Sequence, residues 1–133
     1  MDMYKDFDKW NIHKKALDEK EDIFVFNQRD IWWCAVGINV ASESCGKGAN
    51  FSRPILIFKK LSKTNFIGIP LSTQPKFGSW FASVSIRGIK RYALIYQVKM
   101  FSINRLQWRS DILSKRDFNK IKQKLEALLE LRN

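Results

Sequence analysis

From Arg29 to Ile112 the chain is a succession of short β-branched and aromatic runs, with no helical stretch between them to carry a βαβ crossover. The runs are RDIWWCAVGINV, RPILIFKK, FIGIPLS and SVSIRGIKRYALIYQV, followed by a brief strand near Trp108–Ile112. The longest of them reads as a hairpin or bent strand pair about Gly88. Between the runs, ASESCGKGANFS is dominated by Gly, Ser and Asn and reads as a flexible loop, and QPKFGSW reads as loop as well. Proline lacks the N–H that a β-ladder uses, so Pro54 is expected at an edge or strand start, and Pro70 at an edge or a bulge. A short helical turn is expected around Ser102–Leu106.

Helical periodicity is confined to the two ends. Within residues 3–20, Tyr4, Phe7 and Trp10, continued by the stem of Lys14 or by Leu17, recur at three-to-four spacing and predict an amphipathic helix. At the other end Ser114 is a candidate N-cap with Asp117 three residues on, and Phe118, Ile121, Leu125 and Leu128 form an apolar stripe. Short strands closed by one helix point to a mainly β (α+β) small barrel with an N-terminal and a C-terminal helix. A length of 133 residues, 45% of them hydrophobic, suffices for a single core without disulfides. The expected division is a helical extension over 1–28 and one barrel domain over 29–133.

The formal charge of +11 is unevenly spread. Residues 1–28 are slightly acidic, whereas residues 29–114 carry 13 basic groups against only Asp30, Glu43 and Asp111. A segment this basic is the footprint of a polyanion binder, nucleic acid first; solubility or attraction to an acidic membrane surface are the alternatives. Cys34, Cys45 and the single His13 are too few for a four-ligand zinc site or a disulfide framework, and no paired-histidine acid–base chemistry is available within one subunit. No secretory signal or apolar membrane span is evident, so the expected location is cytoplasmic, with reduced thiols and no membrane.

Absent residue types limit the chemistry. Three acids scattered through the basic segment do not cluster to hold magnesium. GKGANFS has neither P-loop nor Rossmann spacing, and no nucleophile elbow occurs. Arginine, serine or threonine, and one glutamate remain. That set suits cleavage of RNA by its own 2′-hydroxyl, which needs a proton acceptor, a donor to the leaving oxygen and cations over the phosphate. DNA has no 2′-hydroxyl and is excluded. No metal and no cofactor is called for.

Four segments, in order, carry a more specific signal. RDIWWCAVGINVASESCGKGANFSRPILIFKK resembles the opening of the MazF/PemK toxins: an Arg-x-hydrophobic-Trp strand, a loop with Gly-x-Glu then Gly-Gly or Gly-Lys, and Arg-Pro opening the next strand. FIGIPLSTQ is similar to that family's Pro-Leu-Thr-Ser strand end. ALIYQVKMFSINRLQWR is similar to its later Ser-Gln-hydrophobic-Arg and Arg-Leu segments. The resemblance runs from about Arg29 into the C-terminal helix. It implies an SH3-like barrel, a homodimer, metal-independent and sequence-specific cleavage of single-stranded RNA, and a cognate antitoxin whose acidic tail fills the RNA groove. It further implies that Arg53 stabilises the phosphate and serves the leaving oxygen, that Ser72 takes the place of an active-site threonine with Thr73 beside it, and that Glu43 is a proton acceptor or loop organiser.

Each of these residues has a plainer reading. Arg53 can be a solvated strand-start arginine, Ser72 a strand-end hydroxyl satisfying backbone groups, and Glu43 a loop carboxylate serving solubility. Trp32 and Trp33 read as barrel core rather than as base-stacking platforms; they point to opposite faces of one strand, so one belongs in the core and the other is available to an interface. Lys47, Lys76, Arg87, Lys90 and Arg91 either track an RNA backbone or form a solvated face. Three departures from the family pattern stand out: the loop is long and carries Cys45, Lys99 replaces the arginine of Gln-x-Arg and so loses its bidentate fork, and Ser72 replaces threonine. Two competing functions remain open, a CcdB-type toxin that poisons gyrase through protein contacts and a non-catalytic SH3-like nucleic-acid-binding module.

Overall fold

The computed structural model describes residues 24–36 and 52–131. The helix expected over 3–20 and the loop residues Glu43, Cys45 and Lys47 lie outside the described residues. Seven strands form within the described parts: β1 (Asp30–Ala35), β2 (Ser52–Lys60), β3 (Asn65–Ser72), β4 (Phe81–Ile86), β5 (Ile89–Leu94), β6 (Lys99–Ser102) and β7 (Leu106–Ile112). One helix, α1 (Lys115–Leu128), follows. The strand order is β4-β5-β3-β2-β1-β7, with β6 also paired to β3, and every pairing is antiparallel.

β2 and β3 are buried on both sides, which is why their sequences read as almost unbroken apolar runs rather than as alternation. Leu56 and Ile69 join Ile31, Ala93, Phe118 and Ile121 in a core under α1. Ile55, Ile57 and Phe66 join Phe26, Trp32, Cys34 and Phe101 in a second core on the other side. Each fully buried Ile, Leu or Phe of these two layers stabilises the fold by about 1.5–3 kcal/mol.

β3 belongs to two ladders. Residues Asn65 to Gly68 pair with β6, and Leu71 and Ser72 pair with β5. Pro70 falls between these stretches, at the point where β3 changes neighbours and no N–H is required on that side. It is therefore neither on an edge strand nor at a bulge; the one β2–β3 register shift lies instead between Ile57 and Lys59. Pro54 is the third residue of β2, which lies between β1 and β3. The strand-start expectation holds for it and the edge expectation does not.

The β4–β5 hairpin turns on Arg87 and Gly88, with φ of 54° and 75°. Positive φ at both central residues gives the two-residue turn whose twist matches that of the flanking strands. α1 starts as its sequence predicts: Asp117 N–H donates to Ser114 Oγ at 3.2 Å, and Phe118, Ile121 and Leu125 are buried. A 3-10 turn at Ile95–Gln97 and the short strand β6 follow β5, where the sequence suggested one continuous run.

Among the described residues no ladder joins β4 to β7, so the small barrel stays open at that seam. Helix α1 lies against β4 on one side of it. Ser85 N–H donates to Asp117 Oδ2 at 2.9 Å, and Lys120 Nζ and Lys124 Nζ each donate at 2.7 Å to the carbonyls of Ser83 and Phe81. Arg87 forms an ion pair with Asp111 at 2.6 Å and donates to the carbonyl of Ser110.

Candidate functional site

β2 opens on Ser52, Arg53 and Pro54, and β3 closes on Leu71 and Ser72. Ile55 faces Pro70, and this register continued by two residues sets Arg53 beside Ser72. On the other side of β2, Arg53 faces Cys34 and Pro54 faces Trp33. The strand ends enclose a pocket of about 100 Å³ lined by Trp33, Ser52, Arg53, Pro54, Leu71, Ser72, Thr73 and Arg91. Residues far apart in sequence and singled out separately thus meet at one place.

Arg53 is half-buried, held extended by the following proline, and its Nη1 lies 3.5 Å from the carbonyl of Leu71. Ser72 is 9% exposed, and its Oγ accepts the N–H of Gln74 at 3.1 Å. That bond is the plainer strand-end role foreseen for the hydroxyl. It uses a lone pair, so the O–H still has a proton to donate, and the turn bond leaves room for a second role. Thr73 is exposed at the rim, and Arg91 approaches from β5.

Among the described residues the lining holds two guanidinium groups, three hydroxyls and no carboxylate. Forked, permanently charged donors next to hydroxyl donors suit a tetrahedral oxyanion such as a phosphodiester, and half-burial strengthens each of those contacts relative to water. Cys34 contributes only packing. Burial pushes its thiol far above the ordinary value of 9.0, outweighing the nearby charge of Arg105, so no thiolate nucleophile is present there. No three His, Cys, Asp or Glu side chains gather into a cation site among the described residues.

The remaining sequence-derived residues are distributed differently. Lys76 is exposed in the loop after β3. Arg87 and Lys90 line another groove, of about 500 Å³, together with Arg116 and Lys120. Glu43 and Lys47 fall outside the described residues. Trp32 enters the core, where its Nε1 donates to Asp30 Oδ2 at 3.3 Å, and Trp33 lines the pocket. Sequence reasoning missed Trp108, which stacks on Trp33 with centroids 5.5 Å apart and planes 17° from parallel. A cross-strand partnership between β1 and β7 leaves no local signal in sequence. No helix among the described residues is long and apolar enough to cross a membrane.

Comparison with solved structures finds the same fold in several bacterial proteins. A mycobacterial endoribonuclease in complex with its cognate antitoxin superposes with a TM-score of 0.65 at 13% identity, covering 82% of this chain and 99% of that one. MazF of Deinococcus radiodurans, in its MazE–MazF structure, gives 0.62 at 12% identity over 80% of this chain and 96% of its own. A second structure of the Deinococcus radiodurans MazF gives 0.61 at 14% identity, covering 80% of this chain and 98% of that one. Likeness at these identities is one of fold. Comparison with curated protein sequences returns no match. The sequence profile of the PemK-like, MazF-like toxins, however, matches residues 27–129, which include every described strand, the helix and the Arg53 pocket. The chain belongs to the PemK-like, MazF-like toxin family of type II toxin–antitoxin systems.

Proposed function

We propose that this toxin is an endoribonuclease that cuts single-stranded RNA at short sequences without a metal ion, using the pocket between the ends of β2 and β3. The observation that carries this reading is the convergence of Arg53, Ser72, Thr73 and Arg91 around one small concavity. In the reaction the 2′-oxygen bonds to phosphorus and gives up its proton, while the bond from phosphorus to the 5′-oxygen breaks. The leaving oxygen takes a proton, and the ends are a 2′,3′-cyclic phosphate and a 5′-hydroxyl. Arg53 offsets the charge that builds on the phosphate and hydrogen-bonds the leaving oxygen, Ser72 donates to a non-bridging oxygen, and Glu43 is the proposed proton acceptor.

Thr73, Lys76 and Arg91 hold the strand on either side of the cut, with Lys47 from the loop. Arg87 and Lys90, on their separate groove, meet only a longer strand. The partners that go with this reading are a cognate antitoxin, whose acidic segment neutralises the same basic pocket, and a second copy of the chain in a homodimer working in the cytoplasm.

The deciding experiment incubates mixed-sequence single-stranded RNA with the protein in excess EDTA, beside an Arg53→Ala preparation whose fold is checked by circular dichroism, and maps the ends. Discrete cuts with 5′-hydroxyl ends, lost in the Arg53 variant, are expected. Intact RNA in both samples with salt-sensitive binding retained would replace the enzyme by a binding module. Neither cleavage nor binding would point to a toxin that acts on a protein.

A further inference from the structure

The stacked pair Trp33–Trp108 runs out from the pocket wall to the surface. Trp33 lines the pocket beside Arg53 and Ser72. On β2 it faces Pro54, and on β7 it faces Trp108, so the indole is fixed from both neighbouring strands. Trp108 lies almost parallel to it and is 51% exposed. One face of the Trp108 ring is covered by Trp33, and so large an apolar ring at the surface is more than a cross-strand contact needs. Around it β7 is polar: Gln107 precedes it and Arg109, Ser110 and Asp111 follow. Arg109 supplies a half-exposed cation, 3.9 Å from Asp30.

We infer that Trp108, pre-set by its stack on Trp33, is a stacking platform for a nucleobase of the RNA next to the phosphate held by Arg53 and Ser72. The inference rests on the RNA-cleaving reading of that pocket and adds to it a positioning residue. Every base has a π-face, so an indole held flat at the rim binds a neighbouring base with little regard to its identity. A base parked on Trp108 fixes one side of the nucleotide chain, leaving the sugar–phosphate link to enter the pocket. The ring's rigidity matters here, because Trp33 and Pro54 already supply the order that a free indole would have to acquire on binding.

The test measures binding of a fluorescently labelled single-stranded RNA made uncleavable by 2′-O-methyl groups, so that it reads out whether or not the protein cuts. Wild type, Trp108→Phe and Trp108→Leu are compared; leucine keeps apolar contact with Trp33 but has no π-face. A set of oligonucleotides, each with one abasic position, is run against all three. Trp108→Leu is expected to weaken binding of the intact strand about ten-fold, with Trp108→Phe close to wild type. One abasic position should cost wild type a similar factor and cost the Leu variant almost nothing further, the non-additivity expected of two groups that touch. Equal binding by wild type and Trp108→Leu would overturn the inference, as would a loss that is additive with every abasic position, which marks a purely structural pair. A change in oligomeric state on Trp108→Leu would reassign the ring to a contact between copies. Failure of the nuclease reading shows separately, as uncut RNA with wild type in the Arg53 experiment.

Discussion

One hydroxyl, that of Ser72, closes a turn and still keeps a proton for the chemistry proposed for the pocket. Its oxygen closes the turn after β3 by accepting from Gln74 N–H, and its proton remains available for donation. Alanine removes both functions at once, threonine neither. Ser72→Ala is expected to lower kcat for RNA cleavage about 100-fold, the typical effect of deleting one oxyanion donor. It should also cost about 1 kcal/mol of stability for the orphaned turn N–H. Ser72→Thr should stay within a few-fold of wild type in both. Single-turnover cleavage rates and urea unfolding of the three proteins separate the two effects. A Ser72→Ala enzyme with full activity would leave the hydroxyl with the turn alone. Arg53 was legible in sequence because Arg-Pro at a strand start is a local pattern. Its placement opposite Ser72 follows only from the β2–β3 register.

Among the elements, β3 carries the most constraint, since it pairs with β2, β5 and β6. Gly68 sits where β2 and β6 both press on it: a Cβ there would lie 2.6 Å from Ile55 Cγ2 and 2.9 Å from Phe101 Cδ1. Neither neighbour has room, because both belong to the second core. Gly68→Ala is therefore expected to destabilise by about 1–3 kcal/mol, read as a lower urea midpoint at unchanged slope. An unchanged midpoint would show that this core can dilate. The strands β2 and β3, the Gly88 hairpin and the capped helix α1 were all readable from sequence, being set by apolar runs, turn residues and an N-cap that act locally. The 3-10 turn at Ile95–Gln97 and strand β6 were not, because Ile95, Tyr96 and Val98 look like a continuing strand and only packing against β3 and α1 breaks it. Pro54 met its strand-start expectation, whereas Pro70 met neither of its own. Each avoids the ladder it would spoil, one near a strand start and one where β3 changes partners, without needing a sheet edge.

At the scale of the whole molecule the charge of +11 favours attraction of a polyanion, and under the proposed function local pairing decides which cations meet RNA. Arg91 lines the pocket; Arg87 is engaged with Asp111 and the carbonyl of Ser110 across the open seam. Affinity for a short single strand should fall linearly on a logarithmic salt scale, by about 0.7 per neutralised phosphate. Arg91→Ala is expected to make that slope shallower by about 0.7, and Arg87→Ala to leave it unchanged for a strand too short to reach the second groove. Fluorescence anisotropy at graded KCl concentrations checks both. Equal slopes for the two variants would mean that the pocket does not single out Arg91.

The pairing of β1 with β7 also bears on how such a toxin is made. A chain emerging from the ribosome can form β2, β3 and the β4–β5 hairpin early, since those strands are neighbours or near neighbours in sequence. β1 gains its second partner only when residues up to Ile112 have left the exit tunnel. Until then one side of β1 is an open edge, and Trp33 stands at the pocket wall without the indole that braces it. Completion of this wall therefore waits on the synthesis of β7, and until then the chain exposes a strand edge of the kind that pairs readily with another strand.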